Sequence, residues 1–233
     1  VIFNLIMKNI ISLKLYFTLH IILFSFFANA HEGFIENKGQ LPNNVLAKKN
    51  ISSGALFVEK GKLTFSFYDQ LQLKNFHNRT TSLKKINFHA YSFSFQNINN
   101  SLLYEFSDKL NYIENYYLGE KSCWATNVNH FQVLTQKNIY DDIDLILYNH
   151  NDHLKYDLYI RKNANVNDIK IKYEGHEKIF LKDGNLIVST SVNSVTELNP
   201  YAYQIINFDT VVIACNYALK KNQLSFEFPF GYN

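Results

Sequence analysis

The densest set of side chains that could do chemistry lies between positions 141 and 157: Asp141, Asp142, Asp144, His150, Asp152, His153 and Asp157. Oxygen-rich loops of this kind can hold Ca²⁺, which takes about six to eight oxygen ligands. In an extended chain, however, Asp142 and Asp144 share one face while Asp141 lies on the other, and the DxDxDG spacing is absent. A solvated turn between two strands accounts for these residues more simply. His150 and His153 suggest zinc only if a third ligand stands at a recognisable spacing, and none does, so both read as exposed turn histidines.

Glu36, Glu105 and Glu114 could each serve a glycosidase as acid or base, but such carboxylates are common on strand surfaces and their separation is not set by sequence. The chain has no GxSxG, HExxH or Walker-type phosphate loop. Trp124, Tyr116, Tyr117, Tyr201 and Tyr203 could form an aromatic platform for sugar rings, against the simpler reading that most aromatics in so aromatic a chain are core. Cys123 and Cys215 lie 92 residues apart. A bridge closing so long a loop could stabilise the fold by up to ~4 kcal/mol. Alternatively, Cys215 is a buried free thiol, since the series Val211, Ile213, Cys215, Tyr217, Leu219 marks it as core-facing. Neither thiol has a CxxC neighbour or an evident activating base. We therefore assign no catalytic, cofactor-binding or metal-ligating residue and no cofactor, and read the chain as not an enzyme.

The elements that would position these groups are strands. Leu63, Phe65 and Phe67 alternate with Lys62, Thr64 and Ser66, and Tyr91, Phe93 and Phe95 alternate with Ser92 and Ser94, each predicting one buried face. Strands are predicted over 54–59, 62–68, 86–95, 102–106, 112–118, 131–136, 143–148, 154–160, 169–173, 179–181, 186–189, 195–198, 203–206, 210–219 and 224–228. Lys60-Gly61 and Asp183-Gly184 predict tight hairpins, and 143–148 should pair with 154–160 across a polar turn. The polar stretch 70–85 reads as a loop. No helical period persists over three turns and no internal repeat is found, so the expectation is an all-β, antiparallel β-sandwich over 54–233. The pattern also allows two consecutive sandwich halves, divided near 120–140. Residues 31–53 read as a mostly irregular N-terminal segment.

Residues 1–30 read as a signal peptide: Lys8 and Lys14, an apolar run from Leu15 to Phe27, then Ala28-Asn29-Ala30 as a cleavage site. The rival, a retained membrane anchor, lacks a basic cluster after the run. The first residue is Val, so Met7 is an alternative start. The expected location is therefore secreted or at the cell surface, with membrane contact only through the signal peptide before cleavage. The formal charge of +3 falls to +1 without Lys8 and Lys14, which argues against a nucleic-acid partner. With 20 Phe and 16 Tyr against three Pro, the composition suits pleated surfaces.

Four segments resemble a known family: Phe34-Ile35-Glu36-Asn37-Lys38-Gly39-Gln40-Leu41-Pro42, Gly54-Ala55-Leu56-Phe57-Val58-Glu59-Lys60, Tyr116-Tyr117-Leu118-Gly119 and Trp124-Ala125-Thr126-Asn127-Val128. The similarity continues through Asn138 to Leu145, Leu154 to Leu158, Asp168 to Gly175 and Glu197 to Gln204. The chain thus resembles the uncharacterised N-terminal β-rich domain of Bacteroidota secreted and surface proteins. Those proteins often carry β-propeller-type SBBP repeats and gliding-motility or type IX secretion C-terminal domains. Family members commonly have Pro-Gly where this chain has Asp141-Asp142, and they continue past the last strand, which leaves open a truncated piece of a longer surface protein or an orphaned domain. The family carries no established catalytic residues to transfer. The resemblance implies a non-catalytic secreted or cell-surface module, a structural or adhesive part of a larger envelope protein. Its partners would be other envelope proteins or extracellular glycans. The alternative is a carbohydrate-binding module for extracellular polysaccharide.

Overall fold

The computed structural model describes residues 33–78, 85–150 and 153–232. The predicted signal segment and its cleavage site lie outside them. Among the described residues no helix is long and apolar enough to cross a membrane.

The segment expected to be irregular, 31–53, instead supplies two strands, β1 (Phe34–Glu36) and β2 (Val45–Ile51). The loop between them is organised by one side chain. Asn37 Nδ2 donates to the carbonyls of Pro42 at 2.9 Å and Val45 at 2.8 Å, while its Oδ1 accepts from the amide of Gly39 at 2.9 Å. An Asn amide that satisfies several backbone groups at once lets a polar, Pro-containing loop hold a fixed shape.

Hairpin β3 (Gly54–Glu59)/β4 (Lys62–Tyr68) turns at Lys60-Gly61 as predicted, with Glu59 opposite Lys62. The predicted loop after it opens instead with helix α1 (Gln70–His77), capped by Asp69, whose Oδ1 accepts from the Gln72 amide at 3.0 Å. α1 has no buried residue, so the core imposes no apolar period on it.

β5 (Phe88–Phe95) follows, then two long strands, β6 (Leu103–Tyr116) and β7 (Ala125–Tyr140), then β8 (Ile143–His150) and β9 (His153–Ile160). The interval 120–140, considered as a boundary, holds β7, the strand on which β1, β6 and β8 all pair. β6 lines one edge of β7, while β1 meets the other edge at His130 and Phe131 and β8 takes it over from Val133 onward. Because β7 is shared, the chain from Glu32 onward is one unit rather than two halves.

With β10 (Ile171–Glu174), β16 (Asn216–Lys220) and β17 (Gln223–Glu227), these strands form one twelve-stranded antiparallel sheet. Its order is β16-β17-β10-β5-β4-β3-β2-β1-β7-β8-β9, with β6 on β7. The sheet folds over on itself. Ring contacts cross the interior from Phe93 on β5 to Tyr156 on β9 at 5.8 Å and from Phe95 to Tyr140 on β7 at 6.5 Å. The fold is therefore all-β and sandwich-like, with a core that includes Leu56, Leu63, Phe65, Tyr91, Leu134, Leu145 and Tyr173.

The alternation on β4 and β5 is realised as read: Leu63, Phe65 and Phe67 face inward against Tyr91, Phe93 and Phe95. Phe65 lies directly opposite Tyr91, with ring centroids 5.1 Å apart. Buried Gln136 on β7 ties the two layers: its Oε1 accepts from the Gly61 amide at 2.7 Å and its Nε2 donates to the Glu59 carbonyl at 2.9 Å.

Two small sheets complete the chain: β11 (Lys178–Lys182), β12 (Asn185–Ser189) and β13 (Ser194–Glu197), and then β14 (Ala202–Ile206) with β15 (Asp209–Ile213). The Asp183-Gly184 hairpin forms as predicted, with both residues at positive φ, 50° and 80°. The single strand expected over 210–219 is broken at Ala214 and Cys215. Its first half pairs with β14 and its second with β17, and one straight strand cannot serve two sheets.

Candidate functional site

The acidic cluster is distributed along the β8/β9 hairpin. Asp144, nearly buried, accepts from Arg161 Nη2 at 2.6 Å and from the Asn138 amide at 2.8 Å. Burial opposes ionisation of its carboxyl, but the Arg161 guanidinium and the Asn138 N–H outweigh this and hold its pKa below the usual carboxylate range. Asp141 accepts from Asn99 Nδ2 at 3.1 Å, and Asp157 accepts from the Tyr148 hydroxyl at 3.0 Å. Asp142 sits in the tight turn at φ 60°, a left-handed conformation that glycine adopts without strain. His150 and His153 pair at the opposite end of the hairpin, roughly 20 Å from Asp144 at strand rise. Asp152 lies outside the described residues. Asp141, Asp144 and Asp157 thus each have a separate partner, and among the described residues the set does not converge.

The three glutamates are likewise engaged separately. Glu36 accepts from the amide and side chain of Asn129 and pairs with Lys38 at 3.0 Å. Burial raises its pKa, but the Asn129 amide and Lys38 bring the net shift below the usual value. Glu105 pairs with Lys137 on the surface at 2.6 Å. Glu114 accepts from the Tyr116 hydroxyl and stands 3.5 Å from the buried His130, whose ring lies 4.4 Å from that of Tyr112.

Three of the segments that carry the family resemblance meet in space. Ile35 from the first packs with Ala125 and Val128 from the Trp124 segment and with Tyr116, forming an apolar cluster apart from the main core. Beside it lies a shallow pocket of about 200 Å³ lined by Ile35, Gln40, Leu41, Lys48, Tyr116 and Leu118. Tyr117 and Trp124 stand exposed next to these residues in the chain, edge to face at 5.3 Å. Tyr201, just before β14, and Tyr203 on it pair with each other at 5.9 Å. Among the described residues no ring contact links the two pairs, so the five aromatics make two surfaces and not one platform.

Sequence reasoning missed a half-buried carboxyl. Glu197, the last residue of β13, accepts from the Tyr173 hydroxyl at 2.8 Å and from the Tyr156 hydroxyl at 3.4 Å. Tyr217 adds a bond from its hydroxyl to the Leu198 carbonyl at 3.1 Å. Burial pushes the Glu197 pKa up to about 7, against the opposing pull of the two phenols. The same burial, with the Glu197 charge nearby, drives the Tyr91 and Tyr173 phenols upward. This polar knot ties the small β11–β13 sheet to β9, β10 and β16. Glu197 could not be singled out because its partners lie 24 and 41 positions away.

Both cysteines are free, Cys123 exposed and Cys215 buried, and burial pushes the Cys215 thiol up to about 11. Val211, expected to be core-facing alongside Cys215, is exposed. The same region holds a second unanticipated feature. On β14 and just before it, Tyr201, Tyr203 and Ile205 are exposed while Ala202, Gln204 and Ile206 lie on the more covered side. Val212, opposite Tyr203, continues the exposed face.

The folded-over antiparallel sheet places the chain in the class of all-β, sandwich-like proteins. Residues 34–233 match the family described as Domain of unknown function (DUF7948), and the chain belongs to that family. No curated protein and no solved structure matches it.

Proposed function

We propose that the domain is a non-catalytic contact module, secreted or displayed at the cell surface, acting as a structural or adhesive part of a larger envelope protein. The observation that carries this reading is the β14–β15 hairpin, which turns its aromatic and aliphatic face outward. Contiguous exposed apolar surface marks a place where something binds. Glu36, Glu105, Asp141 and Asp144 hold loops, turns and surface pairs in place, which suits a scaffold. Export is supported by the Lys8–Ala30 pattern.

The test is retention of the chain from His31 onward on isolated envelope material, compared with Tyr203→Lys. The reading predicts retention that this substitution weakens. Turnover of a glycan or peptide that disappears on replacing one carboxylate would overturn it.

The exposed Tyr117–Trp124 pair beside a pocket that carries Gln40 and Lys48 favours a second reading, a carbohydrate-binding module for extracellular polysaccharide. On a glycan array, saturable binding lost in Trp124→Ala supports it, and a blank array removes it.

A further inference from the structure

We propose that the outward face of the β14–β15 hairpin is a self-association surface, covered in solution by a second copy of this chain. The proposal rests on the contact-module reading and names its partner.

The face is large enough. Tyr201 is 70% exposed, Tyr203 56%, Ile205 70%, Val212 61% and the turn residue Phe208 100%. With aromatic side chains presenting roughly 150–250 Å² each, these five expose on the order of 700 Å² per copy. A stable interface takes about 800 Å² from each partner, so two such faces come close to a complete interface without help from elsewhere.

The face is also free of the charge that would forbid burial against itself. From Tyr201 to Leu219 the only charged residue is Asp209, at the hairpin turn. In a two-fold interface each group meets the same patch on its partner, so a charged patch would face like charge and lose its hydration. An aromatic and aliphatic patch incurs neither cost. A partner chosen for charge would find only Asp209 along these two strands.

Backbone geometry adds a third argument. β14 and β15 form a sheet of two strands, each therefore an edge strand, whereas every strand of β1–β5 has neighbours on both sides. Two-stranded sheets are marginal alone, and edges this apolar are natural templates for another strand or sheet. The exposed residues are also those that the binary pattern would send inward: Tyr-x-Tyr-x-Ile alternates with Ala-x-Gln-x-Ile, and the bulkier face is the one in water. A second copy restores the burial that the pattern encodes.

The experiment is the mass of the full processed chain in solution across a concentration series, by light scattering or sedimentation. The proposal expects the mass to double with rising concentration. It expects Tyr203→Lys with Ile205→Lys to weaken the association at least ~10-fold while the circular dichroism stays unchanged. As a check independent of those variants, Thr210→Cys in a Cys123→Ser background places a thiol on the same face, and oxidation should then yield a covalent dimer. A monomer at the highest soluble concentration, with no Thr210→Cys crosslink, overturns the proposal. So does a monomer whose Tyr201 and Tyr203 are protected by an oligosaccharide. Either outcome leaves the contact-module reading standing, because that reading fails only on turnover or on loss of envelope retention.

Discussion

Strands β4 and β5 and the hairpin β14–β15 are written in nearly the same hand, yet they meet opposite fates. Phe65, Tyr91 and Phe93 alternate with Thr64, Ser92 and Ser94, and Tyr203 and Ile205 alternate with Ala202 and Gln204. In the first pair the aromatics are buried, and in the second they stand in water. The difference is the layer opposite. β4 and β5 lie in mid-sheet beneath the β7–β9 half, which closes over them through Tyr140 and Tyr156. The hairpin has no such cover among the described residues. Alternation therefore encodes a face that seeks burial, and the tertiary fold decides whether the same chain supplies it.

The largest test of this contrast is truncation at matched aromatics. Phe93→Ala removes a ring packed on Phe65, Phe95, Tyr156 and Tyr173, and should cost about 4 kcal/mol in urea unfolding. Tyr203→Ala should change the unfolding free energy of the monomer by no more than about 0.5 kcal/mol. Comparable losses at both sites would erase the distinction.

Asp144→Ala tests the buried carboxylate that anchors the β7/β8 turn of the main sheet. It leaves the Asn138 amide without its acceptor and should cost about 2 kcal/mol at neutral pH. Because the folded-state pKa of Asp144 lies below its ordinary 3.8, its contribution is present above that value and disappears as pH falls through the depressed one. The acid limb of unfolding should therefore flatten in the variant.

Glu197 carries the opposite sign. Its folded-state pKa, about 7, exceeds the ordinary 4.5, so its contribution is full below 4.5 and is lost as pH rises through 7. Burial among Tyr156, Tyr173 and Tyr217 makes this loss on the order of 1–2 kcal/mol, after discounting for its partial exposure. Thermal unfolding between pH 5 and pH 8.5 should show a fall in midpoint that Glu197→Gln removes. An unchanged slope in that variant would show that the knot does not govern how the small β11–β13 sheet is held.

The smallest expected effect is a gain. Asp142 sits at φ 60°, and Asp142→Gly relieves that strain and should stabilise the protein by about 0.5–1 kcal/mol, read from the denaturant midpoint. A loss would mean that the Asp142 side chain contributes more to the turn than its backbone conformation costs.

The β3/β4 and β11/β12 turns, the inward aromatics of β4 and β5, and the β8/β9 pairing were legible because each is a local matter. A glycine where φ is positive, or an uninterrupted alternation, carries its own signal. β1 and β2 were hidden because their loop depends on Asn37 bonding to carbonyls up to eight positions away. α1 was hidden because it buries nothing. The break at Ala214 and Cys215 follows from a choice between β14 and β17 as partners, which no window of sequence contains.

For the candidate sites the division is sharper. The amino-acid order by itself determined that the chain would be strand-built, aromatic-rich and close to neutral, since composition and period act residue by residue. Only the tertiary structure decided which carboxyl would lose its water, which three segments would meet around Ile35, and which alternating face would remain uncovered. Those outcomes depend on contacts between residues tens of positions apart, and such contacts exist only once the sheet has folded over on itself.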